Sequence, residues 1–359
     1  MNTCSRINIP LRTINGETAL FVETAEIRLL FPAERIEKVY CSRTDVVYEA
    51  GIDYRHPAGT DVLVRLPESR IPFLTESQIH PRKSSPETHL FPGPNTNAIA
   101  GGVDGEALIF DNLDYFSKLQ IEVDYTASTV NDIFPVPVFP ARLPRTKKIL
   151  AQAGTTLQIM TLGDSITEGL NASAYFGVPP FRKPYPGLVA DMLENACPAK
   201  VNLCNQGVDG TTSRYPIEHP EIWHGKQPHL MIIAYGMNDF SHGDATDFLN
   251  NLQQILTLVH QNSPDTEFLL VASMSGNPLW KYTPPGSARK FATALQEFVS
   301  GLDSSVSFVD QCALWETILS RKGYYDLTGN GVNHPNDFGH NLLAENICRC
   351  IIPEKSGLF

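Results

Sequence analysis

Apolar and polar positions alternate in the first third of the chain and recur at helical spacing later. KLQIEVDYTA places Leu119, Ile121, Val123 and Tyr125 on one face, and ALFVETAEIRLLF and DVLVRL are also strand-like. A period of two marks a half-buried strand. Turn-rich stretches such as HPRKSSPETHLFPGPNTN separate these runs. Many short strands joined by Gly, Pro and Asn turns predict an all-β sandwich, jelly-roll-like, over residues 1–134. FPVPVFPARLPRTKK then carries Pro135, Pro137, Pro140 and Pro144. Proline removes backbone donors and stiffens the chain, so residues 135–149 read as a linker.

The pattern changes from residue 150 to the end. LQIMTL, VNLCNQ, HLMIIAYG, EFLLVAS and SVSFVD are short apolar runs. Between and after them lie amphipathic stretches: PYPGLVADMLENA, DATDFLNNLQQILTLVHQN, ARKFATALQEFVSGL and DFGHNLLAENICRCII. Apolar strands alternating with helices predict a parallel sheet covered on both faces, a three-layer α/β/α domain over 150–359. Such sheets bind ligands beyond the carboxyl ends of their strands. The loops after the first three strands therefore point to one crevice.

The 359 residues suit one large or two ordinary domains with a sizeable core. A net charge of −11 argues against nucleic acid as a partner. No apolar run approaches a membrane span, so no membrane partner is expected. Seven widely spaced cysteines and a start without a charged segment leading into an apolar core fit reduced thiols in the cytoplasm.

Three loops carry candidate chemistry. The first strand ends in TLGDSITEG, where Gly163 permits a tight turn and Ser165 opens the next segment. Asp164, Ser165 or Thr167 would equally serve as a helix cap. The second strand ends in NQGVDGTTS, whose Gly207 and Gly210 either leave backbone N–H groups open to a ligand or form an ordinary turn. The third ends in YGMNDF, where the Asn238 amide either donates to a developing oxyanion or caps an Asx turn.

GDSITEG, the glycine loop, GMND and a C-terminal HPN occur in this order, and together they resemble the SGNH (GDSL-type) hydrolases. The resemblance covers about Leu150 to the C-terminus and implies a flavodoxin-like α/β/α fold. It also implies Ser165 as nucleophile, and an oxyanion hole of the Ser165 and Gly210 backbone N–H groups plus Asn238. Gly207 is the alternative to Gly210.

Members of this family usually end in Asp-x-x-His, the histidine followed by proline. In GNGVNHPNDFGH, His334 precedes Pro335, but Gly331 stands where the acid belongs. Asp337 and His340 form a literal Asp-x-x-His, yet Asn336 reads as the cap of the last helix, which would carry His340 away from the serine. His334 is therefore the expected base. Its orienting partner is expected to be Asp326 or a backbone carbonyl, in a Ser–His dyad. Some relatives of this layout are carbohydrate acetylesterases with an N-terminal β-sandwich.

The resemblance implies a serine esterase that removes short acyl groups, acetyl foremost, from a carbohydrate or small glycoside. A thioesterase or lysophospholipase of the same fold is the alternative within enzymes. A catalytically impaired glycan-binding protein is the alternative outside them. No cofactor or metal is expected: His219, His224 and His229, spaced by five, match no zinc pattern, and no phosphate or dinucleotide glycine motif follows a strand. Phe176, Phe181, Tyr185, Trp280 and Tyr282 fall in loops near the crevice, where aromatic rings stack on sugars or pack against the other domain.

Overall fold

A computed structural model describes residues 12–80, 89–93, 96–99, 101–103, 107–111, 113–127, 133–241 and 244–358. The N-terminal region is antiparallel β structure. Its strands are β1 (Arg12–Ala19), β2 (Glu26–Ala33), β3 (Arg35–Cys41), β4 (Val46–Tyr48), β5 (Tyr54–Arg55), β6 (Thr60–Arg65), β7 (His89–Gly93), β8 (Thr96–Ile99), β9 (Leu108–Asp111) and β10 (Ile121–Ala127). They form sheets of order β1-β10-β3-β4, β2-β6-β5 and β7-β8-β9. Two short helices, α1 (Glu76–Ile79) and α2 (Tyr115–Leu119), interrupt them.

The alternation in KLQIEVDYTA is realised in β10, where Ile121, Val123 and Tyr125 are buried. ALFVETAEIRLLF is not one strand. β1 ends at Ala19 and β2 begins at Glu26, because Glu23 turns the chain at φ +56°. Much of HPRKSSPETHLFPGPNTN lies outside the described residues, although it contributes the backbones of β7 and β8.

The proline-rich stretch ends in α3 (Pro144–Leu150). The missing N–H of Pro144 costs nothing at the first helical position. The carboxylate of buried Glu267 accepts the next two amides, from Arg145 (3.0 Å) and Thr146 (2.7 Å). The sequence stretch expected to be linker is thus partly helical and anchored.

The second region is a five-stranded parallel sheet of order β12-β11-β13-β14-β15. The strands are β11 (Thr156–Gly163), β12 (Lys200–Gly207), β13 (Leu230–Ala234), β14 (Glu267–Ala272) and β15 (Val306–Asp310). Every apolar run singled out above is one of them. The helices are α4 (Ser165–Glu168), α5 (Tyr185–Ala196), α6 (Tyr215–Glu218), α7 (Ala245–Asn262), α8 (Ser287–Ser300), α9 (Gln311–Leu319) and α10 (Asp337–Ile351). α5 packs on α10, and α7 on α8. The amphipathic stretches predict α5, α7, α8 and α10. The short α4 and α6, and α9, have no clear apolar period.

Register places the site. β11 lies between β12 and β13 and pairs with both, so Gly163 lies opposite both Gly207 and Ala234. The three loops that follow leave the sheet side by side. One continuous apolar core extends from Ile14, Phe31 and Tyr125 of the β region to Leu157, Phe268 and Ile347 of the α/β region.

Candidate active site

The turn from β11 into α4 is tight for a steric reason. A Cβ on Gly163 would stand 2.0 Å from Thr167 Oγ1 and 2.7 Å from the Ala234 carbonyl oxygen. Only glycine fits there. Asp164 then caps α4, its Oδ1 accepting the Ile166 N–H at 3.0 Å. Ser165 is the first helical residue, so its own N–H has no acceptor within the helix. Asn205 braces the elbow from β12. Its Nδ2 donates to the Thr167 carbonyl (2.7 Å), and its Oδ1 accepts Thr161 Oγ1–H (2.7 Å) and Gly207 N–H (3.1 Å).

His334 lies in the loop before α10. Its Nε2 stands 2.9 Å from Ser165 Oγ. Both residues are buried, with 4% of the His334 surface and 2% of the Ser165 surface exposed. Burial, followed by the neighbouring His340, pulls the ring's pKa down to about 3, so the ring is neutral at pH 7.

The far side of the ring carries what the sequence reading missed. His334 Nδ1 is 2.9 Å from Oδ1 of Asn171. The serine hydroxyl donates only to an unprotonated Nε2, so the ring proton sits on Nδ1 and goes to the Asn171 oxygen. Asn171 follows the glycine that stops α4 and has φ +65°, a conformation asparagine tolerates. Gly329 makes room for it: a Cβ there would fall 2.5 Å from the Asn171 Cβ. Ser165 and Asn171, on the two sides of the ring, thus lie six residues apart in the chain. The only local signal was a polar residue just past the Gly169 stop.

Asp326 is not the orienting group. Its carboxylate accepts Leu20 N–H (2.8 Å) and Gly323 N–H (2.9 Å) and stands beside Lys322. Nor is a backbone carbonyl the partner of Nδ1. The empty acid position also has a cause. At Gly331 (φ +85°) a Cβ would meet the Ile109 carbonyl oxygen and the Phe116 ring, each at 2.6 Å. His340 lies inside α10, as expected, and its ring is occupied: Nδ1 accepts the Tyr185 N–H and Nε2–H donates to the Leu170 carbonyl, both at 3.3 Å.

The loop that carries His334 is organised by Asn330, four residues before it. Asn330 Oδ1 accepts the N–H groups of Val332 (2.9 Å), Asn333 (2.9 Å) and His334 (3.0 Å). Asn336 caps α10, accepting Gly339 N–H at 3.0 Å.

Gly210 and Asn238 sit on the two neighbouring loops, which are pinned together. Asn238 Nδ2 donates to the Thr211 carbonyl (2.8 Å), and Ser213 donates to Asp239 through its N–H and its hydroxyl. Glu168 at the end of α4 accepts Asp209 N–H at 2.6 Å. Gly210 is exposed at φ +71° with open space where a side chain would be, whereas a Cβ on Gly207 would lie 2.1 Å from the Glu168 nitrogen. Gly207 is thus a packing glycine, which leaves Gly210 as the one facing solvent.

Of the aromatics expected in loops, Tyr185 instead opens α5, buried and bonded to Thr167 Oγ1, and Trp280 is half-buried against Tyr282. Phe181 and Tyr282 are exposed. Among the described residues, no group of three or more His, Cys, Asp or Glu side chains forms a metal site, and no helix is long and apolar enough to cross a membrane.

A family model described as GDSL-like Lipase/Acylhydrolase family matches residues 161–342. Solved structures similar in fold include Axe2, an acetylxylan esterase from Geobacillus stearothermophilus. It is 19% identical over 56% of this chain and 96% of that one, with a TM-score of 0.46. A two-domain esterase (CEX) active on acetylated mannans is 22% identical over 62% of this chain and 55% of that one, at 0.49. No curated protein shows significant similarity to the chain.

Proposed function

The chain belongs to the GDSL-like lipase/acylhydrolase family and is a carboxylic ester hydrolase, and from that premise we propose that it works through a Ser165–His334–Asn171 relay on short acyl esters of a carbohydrate or small glycoside. The observation that carries this reading is the hydrogen-bonded line Ser165 Oγ, His334 Nε2, His334 Nδ1, Asn171 Oδ1.

His334 takes the Ser165 proton as the hydroxyl oxygen attacks the ester carbonyl. The imidazolium keeps its Nδ1–H on Asn171, which fixes the ring but adds no negative charge. The oxyanion is held by the Ser165 and Gly210 N–H groups and the Asn238 amide, each worth about 10²–10³ in rate. His334 then protonates the leaving alcohol. An acyl-enzyme remains, and water attacks it with the same histidine as base.

Close burial of the nucleophile and base supports a small acyl group, acetyl foremost, over a fatty chain. Phe181, 60% exposed, offers a ring of the kind that stacks on sugars, whereas Tyr282 is engaged by Trp280 and Lys281. The case for a catalytically impaired binder rested on the missing acid, and Asn171 fills the orienting half of that role.

The test is a series of nitrophenyl esters from acetate to octanoate on wild type and Ser165→Ala, with fluorophosphonate labelling. Acetate is the best substrate, Ser165→Ala is inactive, and only wild type is labelled. Activity that climbs with chain length, or an unlabelled wild type, overturns the proposal.

A further inference from the structure

The N-terminal β region reaches the loop that carries His334 at several buried points. The amide nitrogen of Asn336, two residues after His334, stands 3.0 Å from Thr18 Oγ1 of β1, 3.1 Å from Gln120 Oε1 and 2.9 Å from the Asp326 carbonyl oxygen. Its two hydrogens are shared among these acceptors. Gln120, between α2 and β10, turns its own Nε2 onto the carbonyls of Tyr325 (2.7 Å) and Thr328 (2.9 Å). Thr18 Oγ1 donates to the Asp326 carbonyl at 2.5 Å. Thr328 in turn donates its hydroxyl to the His334 carbonyl at 2.9 Å.

Two further contacts close the loop from the side. Asp111 N–H of β9 donates to the Asn330 carbonyl at 3.1 Å. Phe116 of α2 stacks on Tyr325 with ring centroids 5.6 Å apart, and it fills the space beside Gly331. Thr18, Gln120, Thr328 and Asn336 are all buried. Each polar atom left without its partner there would carry its full desolvation cost.

We propose that the N-terminal β region is a working part of the catalytic centre, in which Thr18 and Gln120 are positioning residues that hold His334 in line with Ser165 through Asn336 and Thr328. The His334 loop has little regular structure, bounded by the bridge Thr328↔Pro335. Backbone bonds of that bridge hold it together, Asn277 and Tyr324 of the α/β region bind its Gly331 and Val332 carbonyls, and Thr18, Gln120 and Asp111 of the β region hold its other side. A base displaced by about an ångström loses its line to the hydroxyl, and a misplacement of that size costs up to about 10²-fold in rate. This inference rests on the Ser165–His334 reading above.

The experiment uses the full chain and nitrophenyl acetate. Thr18→Val removes the hydroxyl at constant shape, Gln120→Leu removes both halves of the amide, and Thr18→Ser restores the hydroxyl. Leu63→Ala, in the buried core of β6, serves as a control for loss of β-region stability alone. kcat falls about 10- to 100-fold in Thr18→Val and Gln120→Leu with KM little changed, and Thr18→Ser recovers most of the loss. Leu63→Ala lowers Tm and leaves kcat intact at temperatures where it is folded. If Thr18→Val and Gln120→Leu lower Tm while their folded forms keep wild-type kcat, the inference is overturned and the Ser165–His334 reading stands. An inactive, unlabelled wild type overturns both.

Discussion

Asn171 Oδ1 stands 2.9 Å from His334 Nδ1, on the side of the ring opposite Ser165. An amide oxygen fixes the tautomer as a carboxylate would, but it offers no charge to the imidazolium. Asn171→Asp supplies that charge. A carboxylate beside the ring favours its protonated form, so the pKa of His334 rises from about 3. Catalysis needs the neutral ring, so the acid limb of the kcat/KM profile moves to higher pH. An unmoved limb contradicts the assignment. Asn171→Ala leaves the ring unheld and lowers kcat by up to about 10²-fold.

Gly329 tests the same contact from the other side. A Cβ there would overlap the Asn171 Cβ at 2.5 Å. Gly329→Ala therefore pushes Asn171 off the ring, since the atoms nearest the new methyl are those of Asn171, while the Gly329 N–H keeps its bond to the His334 carbonyl at 2.9 Å. kcat falls as it does in Asn171→Ala, and a double variant with Asn171→Ala is no worse than either single one. Fully additive losses show that Gly329 acts elsewhere.

Gly331→Asp puts an acid back at the family's usual position, and the surroundings reject it. The Ile109 carbonyl oxygen and the Phe116 ring occupy the space, and φ is +85°. The variant loses stability by about 1–3 kcal/mol or more from strain and overpacking, read as a lower Tm, and its kcat falls. A gain in kcat at unchanged Tm contradicts this packing.

The two strand-2 glycines separate by their neighbours. Gly207→Ala drives a methyl into the backbone of α4 at 2.1 Å, so the protein unfolds at lower temperature. Gly210→Ala meets open space and costs only the strain of its positive φ, about 1–2 kcal/mol. Asn238→Ala gives up the bond to the Thr211 carbonyl and loses about 10²–10³ in kcat, as expected for one oxyanion donor. Equal activity in wild type and Asn238→Ala removes it from the hole.

What the sequence made legible was whatever depends on local pattern. The five apolar runs became the parallel sheet, and the loops with Ser165, Gly210 and Asn238 emerged beside one another because strand order follows from crossover topology. His334 was separable from His340 because an Asn336 cap places the latter inside a helix. What stayed hidden depends on contacts distant in sequence. Asn171 meets His334 across 163 positions. Gly331 is explained only by Ile109 and Phe116, which belong to the β region. Asp326 looked available as an acid, yet its carboxylate faces Leu20 and Gly323.

Asp164 gives a prediction about stability that is independent of the reaction. It is buried, and burial pushes its carboxyl from 3.8 up to about 7, with Asp239 and Asp209 adding to the effect of burial while the Ile166 N–H opposes it. Its folded pKa lies above its unfolded one, so the folded state holds a proton that the unfolded state lacks between roughly pH 4 and 7. That contribution is fully present below about pH 4 and is lost as pH rises to about 7, by as much as about 1.4 kcal/mol per pH unit. Asp164→Asn keeps the oxygen that caps Ile166 and has nothing to titrate. His334 and His340, whose pKa values are lowered, lose stability in the opposite direction, as pH falls from about 6.5. Those two groups are common to both proteins and cancel in the difference. The Tm of Asp164→Asn minus that of wild type therefore rises from pH 4 to pH 7 and then levels. Parallel Tm curves across that range would place the Asp164 titration outside it.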